Sequence, residues 1–338
     1  MNVIPAIFGC SGKALTLTEK AFFKKSIPWG IILFKRNIEH PNQVKDLTTS
    51  IRDVTGYNIP ILVDQEGGRV ERLSAPNWRS WLPALNQMKI VPKHLADRAM
   101  WLRYRIIGEE LNEVGITVNC APVGDIASKL THPILLNRCY GEEVSQVIAA
   151  ASACADGLQS AGILPVLKHI PGHGRATVDS HLSLPRVSTT LKELSASDFA
   201  IFKALNFISL GMTAHILYNR IDNQFPATQS KEIIRIIREE IKFKGLLMTD
   251  DISMKALRGS LIERTQRSLQ AGCDLILHCN GIMNEMITIA DCCEPLNFEK
   301  QKVSDKILLA QKSRTNIDVK ELINEYDSLI SKYNSVMS

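Results

Sequence analysis

Asp250 and Asp251 follow the short apolar run Gly245-Leu-Leu-Met248. A carboxylate at the end of such a run can point into a pocket, where it can attack an electrophilic carbon or stabilise positive charge forming there. It can equally cap the helix that follows, and Asp251 is the better cap candidate because two adjacent side chains do not readily face one pocket. Asp179 and His181 stand two residues apart. A carboxylate that accepts the imidazole N–H fixes its tautomer and stabilises its protonated form, so the ring can give a proton and later take one back. A plain surface turn is the alternative. The preceding Gly172-His173-Gly174 segment favours a moving loop, because glycine reaches backbone conformations closed to other residues.

A second group of residues has the chemistry of binding. Lys168 ends an apolar run and must meet either a polar pocket or a carboxylate, with His169 beside it. Arg72 and Arg138 offer forked donors to hydroxyls or carboxylates, and Asp64 can accept from vicinal hydroxyls of a sugar. His169, His173 and His181 lack the one-face spacing of a zinc site, and no cysteine joins them. Nor does the Gly-His-Gly segment have the pattern of a phosphate loop. No metal and no cofactor is expected.

These residues follow elements of one kind. Apolar runs occupy 3–8, 30–34, 59–63, 117–123, 162–167, 208–213, 245–248 and 274–278, with longer amphipathic stretches between them. Two of those stretches, 95–114 and 142–161, read as helices that stop at Gly115 and Gly162. Strand and helix in alternation imply a parallel sheet, and eight repeats point to a closed (β/α)8 TIM barrel of the α/β class. The first run leads into Gly9-Cys10-Ser11-Gly12, which is not a dinucleotide-binding turn. In such a barrel the C-terminal strand ends gather the chemistry, which puts all the residues above on one rim. Helices over 284–292, 298–312 and 319–333 are expected to complete and brace the wall. Residues 1–338 then read as one catalytic domain, braced by helices from about 284 to 338.

With 338 residues, 45% of them apolar, the chain can bury a large core. The net charge of +5 is spread along the sequence, so nucleic acid is not an expected partner. No run reaches the roughly 18 apolar residues of a membrane span, and the N-terminus has no charged leader. The eight cysteines include no Cys-x-x-Cys pair and read as buried reduced thiols. A cytoplasmic monomer is expected, without a membrane partner.

Lys168-His-Ile-Pro-Gly-His-Gly174 followed by Asp179-Ser-His181 resembles the signature of glycoside hydrolase family 3. Further resemblance lies in Gly30-Ile-Ile-Leu-Phe-Lys-Arg-Asn37, Val63-Asp-Gln-Glu-Gly-Gly-Arg-Val70, Asn119-Cys-Ala-Pro-Val-Gly-Asp125, Asn137-Arg138 and Thr249-Asp-Asp-Ile-Ser-Met254. These motifs run in order over roughly residues 4 to 280. Within the family the resemblance is to the bacterial β-N-acetylglucosaminidases of peptidoglycan recycling. It implies a retaining double displacement on a small sugar substrate, with Asp250 as nucleophile. It further implies His181 as general acid/base with Asp179 orienting it, and Asp64, Arg72, Arg138, Lys168 and His169 holding the terminal N-acetylglucosamine. Ile170 and Tyr140 stand where the family commonly has Phe, and the filling of 175–178 is unusual. A catalytically silent sugar-binding barrel is the alternative from another class. A β-glucosidase or phosphorylase relative is the alternative within the family.

Overall fold

Each apolar run sends alternate side chains to opposite faces of one sheet, and both faces are covered. Ile7, Ile32, Leu62, Val118, Val166, Met212, Leu246 and Met248 join one buried cluster inside a barrel. Phe8, Ile31, Val63, Leu167 and Leu247 join a second, between the strands and the surrounding helices. Burial on two faces is why these segments read as continuous apolar runs without alternation.

The computed structural model describes residues 2–180, 182–311, 314–315 and 317–334. Its barrel strands are β1 (Ile4–Gly9), β2 (Pro28–Leu33), β3 (Ile61–Val63), β4 (Val118–Asn119), β5 (Leu164–Ile170), β7 (Leu210–Thr213), β9 (Leu246–Met248) and β10 (Ile276–His278). They pair in parallel in the order β10-β1-β2-β3-β4-β5-β7-β9. A parallel bridge between Met248 and Leu275 closes the ring, helped by the Asp274 N–H donating to the Leu247 carbonyl at 2.7 Å. The fold is therefore the expected (β/α)8 barrel. Runs three and four give shorter strands than 59–63 and 117–123, because Pro60 and Pro122 have no N–H for the ladder. Val123 still bridges Lys168 in parallel. An accessory parallel pair, β6 (Arg186–Val187) with β8 (Leu217–Tyr218), lies outside the barrel order and was not expected.

The two long helices are α4 (Lys93–Glu113) and α6 (Val144–Ser160). Gly115 and Gly162 follow them with φ of 77° and 79°, in the left-handed region where glycine stops a helix without strain. The C-terminal helices are α11 (Met283–Ala290), α12 (Phe298–Leu309) and α13 (Val319–Asn334). The middle one ends at Leu309, before the expected Lys312, which itself lies outside the described residues. Helix α12 does more than brace the wall. Its Ile307 joins the inner cluster beside Val3 and Trp29, and the Trp29 indole donates to Ser304 Oγ at 2.8 Å. Val3 immediately precedes β1 and Pro28 begins β2, so α12 plugs the N-terminal end and leaves the other end open for chemistry. No helix among the described residues is long and apolar enough to cross a membrane.

Candidate active site

The C-terminal strand ends surround a cavity of about 440 Å³. Asp64, Arg72, Arg138, Lys168, His169, Asp179 and Asp250 all line it, although they span nearly 190 positions (64 to 250) of the chain. His181 lies outside the described residues.

Its centre is a network of buried charges. Lys168 Nζ lies 2.9 Å from Asp64 Oδ1 and 2.5 Å from Glu66 Oε1. Arg138 grips Glu66 with both fork nitrogens, at 2.9 and 2.8 Å, and Arg72 reaches Asp64 at 3.2 Å. Burial alone would raise both carboxyl pKa values. The cations outweigh it, holding Glu66 at about 2 and Asp64 below the usual carboxylate range. Burial likewise works against the charge on Lys168, and the two carboxylates push its pKa up instead. These groups stay ionised at neutral pH and present fixed donors and acceptors to a ligand.

Gln65 builds the turn that holds this network. Its amide nitrogen donates to the Leu73 carbonyl at 2.7 Å, and its oxygen accepts from the Arg72 and Leu73 N–H groups at 2.8 and 3.0 Å. Its backbone exchanges two 3.0 Å hydrogen bonds with the Asn119 amide on β4. Arg72 is thus fixed to the end of β3 although it lies eight residues beyond Asp64.

Asp125 organises the other wall. One oxygen lies 2.7 Å from His169 Nδ1, and the other accepts from the His173 backbone N–H at 2.7 Å. Burial raises its pKa, but His169 and then His173 outweigh that and hold it at about 2. With Nδ1–H donating to Asp125, His169 Nε2 faces Arg138, 3.4 Å away. The His173 ring packs 5.5 Å from that of His169. Burial, and then the neighbouring His169, lower its pKa to about 4.

Asp250 and Asp251 both line the cavity, against the expectation that only one of two neighbours faces it, and the next helix starts only at Leu261, too far on for Asp251 to cap. Asp251 is bound into its own turn, accepting from the Ser253 N–H at 3.0 Å and the Ser253 hydroxyl at 2.8 Å. Asp250 Oδ1 accepts from the Asp251 N–H at 2.8 Å. His215 buttresses the turn from below, with Nε2 3.0 Å from the Asp251 carbonyl and Nδ1 2.7 Å from Thr228 Oγ1.

The glycine segment before Asp179 is not a free hinge. Gly172, His173 and Gly174 are all buried. The Gly172 carbonyl accepts from the Tyr218 hydroxyl at 2.5 Å, and Gly174 presses on the Ile126 backbone. Sequence reasoning assigned no role to Glu66, Gln65 or Asp125. A signal for Glu66 did exist: Lys168 and Arg138 are two inward cations, and Asp64 alone cannot balance both.

The profile of the glycosyl hydrolase family 3 N terminal domain matches residues 14–309. The chain belongs to glycosyl hydrolase family 3. It is 29% identical over 323 residues to a beta-hexosaminidase of Haemophilus ducreyi, covering 94% of this chain and 92% of that protein. A beta-hexosaminidase of Methylococcus capsulatus is 35% identical over 283 residues, 81% and 82% of the two chains. The crystal structure of NagZ from Neisseria gonorrhoeae in complex with N-trifluoroacetyl-D-glucosamine superposes with a TM-score of 0.85. There the identity is 28%, over 96% of this chain and 98% of that one. The protein is thus a glycoside hydrolase of this family, with a cavity at the rim of its barrel into which both acidic and basic side chains converge.

Proposed function

We propose that the protein is a retaining exo-β-N-acetylglucosaminidase. It cleaves a terminal N-acetylglucosamine from muramic or anhydromuramic acid in cell-wall fragments. The observation that carries this reading is the convergence of Asp250, Asp179 and the Asp64–Lys168–Glu66–Arg138 network on one cavity. Its size suits one sugar ring with part of a second. The relatives' name, beta-hexosaminidase, supports the choice of sugar.

In the first step the Asp250 carboxylate attacks C1 of the sugar. The C1–O bond to the leaving group breaks, and the leaving oxygen takes the proton of His181. In the second step water attacks C1, its proton passes to His181, and Asp250 is released. Asp179 orients His181 and stabilises its protonated form. Asp64, Arg72, Arg138, Lys168 and His169 hold the hydroxyls and the acetamido group. Most retaining glycosidases use two carboxyl groups. An imidazole with an ordinary pKa of about 6.5 serves as the proton carrier without needing a raised carboxyl pKa.

A 5-fluoro derivative of an activated N-acetylglucosaminide tests the reading, since ring fluorine slows both steps. Peptide mass spectrometry is expected to find one sugar on Asp250. A label on Asp251, or no label while turnover continues, defeats the assignment. Turnover of an aryl glucoside above that of the aryl N-acetylglucosaminide, or turnover that requires phosphate, defeats the sugar choice or the hydrolytic outcome.

A further inference from the structure

A second cavity, of about 310 Å³, lies beside the first. Arg186, Arg258 and Arg267 line it over an apolar floor that includes Leu184, Leu217 and Phe225. No Asp or Glu lines it among the described residues. Arg267 is paired with Glu263 at 3.1 Å. Arg186 and Arg258 have no acidic partner among the described residues. Asp222, in the same loop as Gln224 and Phe225, does not line it and accepts from their N–H groups at 2.8 and 3.1 Å.

Two chain segments run from one cavity to the other. Asp179 and Ser180 line the first, and Leu184 and Arg186 line the second. Asp250, Asp251 and Met254 line the first, and Ala256 and Arg258 line the second. On the glycosidase reading the leaving group departs near Asp250 and Asp179, and both segments lead from there to the arginines.

The accessory sheet gives this place a fixed wall. Arg186 pairs across it with Leu217, and Val187 with Tyr218. The Tyr218 hydroxyl ties the sheet to the Gly172 carbonyl, at the root of the segment that leads to Asp179. The sheet adds nothing to barrel closure, and holding Arg186 beside the site gives it a use.

We propose that this second cavity binds a carboxylate on the leaving-group side of the substrate, of the kind an acidic peptide on the muramic sugar carries, an inference that rests on the glycosidase reading above. Two guanidiniums with no acidic partner among the described residues suit a carboxylate, and the apolar floor suits short peptide side chains.

The test compares two forms of one substrate, an N-acetylglucosaminyl-anhydromuramyl peptide with free carboxylates and the same compound with carboxamides. The ratio of their kcat/KM values is measured for the full-length protein and for R186Q, R258Q and the double variant. The unmodified protein is expected to favour the free acid about tenfold, and the double variant to bring the ratio close to one. A ratio near one in the unmodified protein, or a ratio unchanged in the double variant, overturns the proposal. A neutral aryl N-acetylglucosaminide is run alongside, and its failure to turn over defeats the glycosidase reading itself. The cavity is then judged by titrating the acidic peptide alone. Binding at least tenfold weaker in the double variant supports the site, and equal binding overturns it.

Discussion

Asp64 and Glu66 share one ammonium group, that of Lys168, which is almost inaccessible to water. Replacing Lys168 with Met keeps much of the volume and removes the charge. Arg72 and Arg138 remain, so neither carboxylate is wholly orphaned, and the expected loss is about 3 kcal/mol at neutral pH. The pH profile carries a sharper signature. The Glu66 pKa is depressed on folding, from an ordinary 4.5 to about 2. A depressed carboxyl adds stability above its unfolded pKa, and that stability is lost as pH falls through the folded value. The buried His173 acts in the same direction at higher pH, because its pKa falls on folding from 6.5 to about 4. Urea unfolding of the unmodified protein is therefore expected to weaken in two stages on acidification, first below about 6.5 and again below about 4.5. In K168M the second stage shrinks, because Glu66 has lost one of the cations that depress it. An identical acid limb in both proteins would contradict this account. The need of Lys168 for an acid was legible in the sequence. The identity of one of those acids was not, because Asp64, Glu66 and Glu71 stand close together and only the turn built by Gln65 decides which of them face inward.

The barrel strands were legible because burial on both faces leaves a run of apolar residues no polar position to occupy. The β6–β8 pair was not, since two residues a side carry no periodicity, and its pairing depends on chain brought in from 31 positions away. The glycine segment shows the same limit at a single element. Gly-His-Gly suggested mobility, yet a Cβ on Gly174 would stand 1.9 Å from the Ile126 carbonyl oxygen. Glycine is needed there for close approach of two backbones. Gly174→Ala is expected to push apart the loop after β4 and the loop after β5. Because Asp125 precedes Ile126, its hold on His169 and on the His173 N–H is disturbed. The expected result is a loss of about 1–3 kcal/mol in stability, typical of overpacking, with kcat/KM on an aryl N-acetylglucosaminide down at least about tenfold. Circular dichroism, urea unfolding and steady-state kinetics on one preparation check it. Normal activity in G174A would mean that this contact does not hold the site.

Across the whole molecule, the last helix is connected to the charged network of the cavity. Tyr326 on α13 is buried, and its hydroxyl donates to Gln87 Oε1 at 2.7 Å. The same oxygen accepts from Arg103 at 2.8 Å, and the other arm of Arg103 donates to the Glu66 carbonyl at 2.8 Å. Glu66 then holds Arg138 and Lys168. The helix pattern over 319–333 was readable in the sequence. This relay was not, because it joins side chains 260 positions apart (Glu66 to Tyr326) through two intermediates with no motif. Two variants separate bracing from relay. Tyr326→Phe removes one hydrogen bond and keeps the ring, so it should cost about 1 kcal/mol, and Gln87 still has Arg103. Tyr326→Ala removes the ring packed 5.2 Å from Trp81 as well, and should cost about 3–5 kcal/mol. If the relay matters, Y326A also raises KM for an aryl N-acetylglucosaminide several-fold at a temperature where it is fully folded, because Arg103 loses part of the support that fixes the Glu66 turn. A stability loss of the expected size with KM unchanged would reduce α13 to a brace and leave the network around Glu66 self-sufficient.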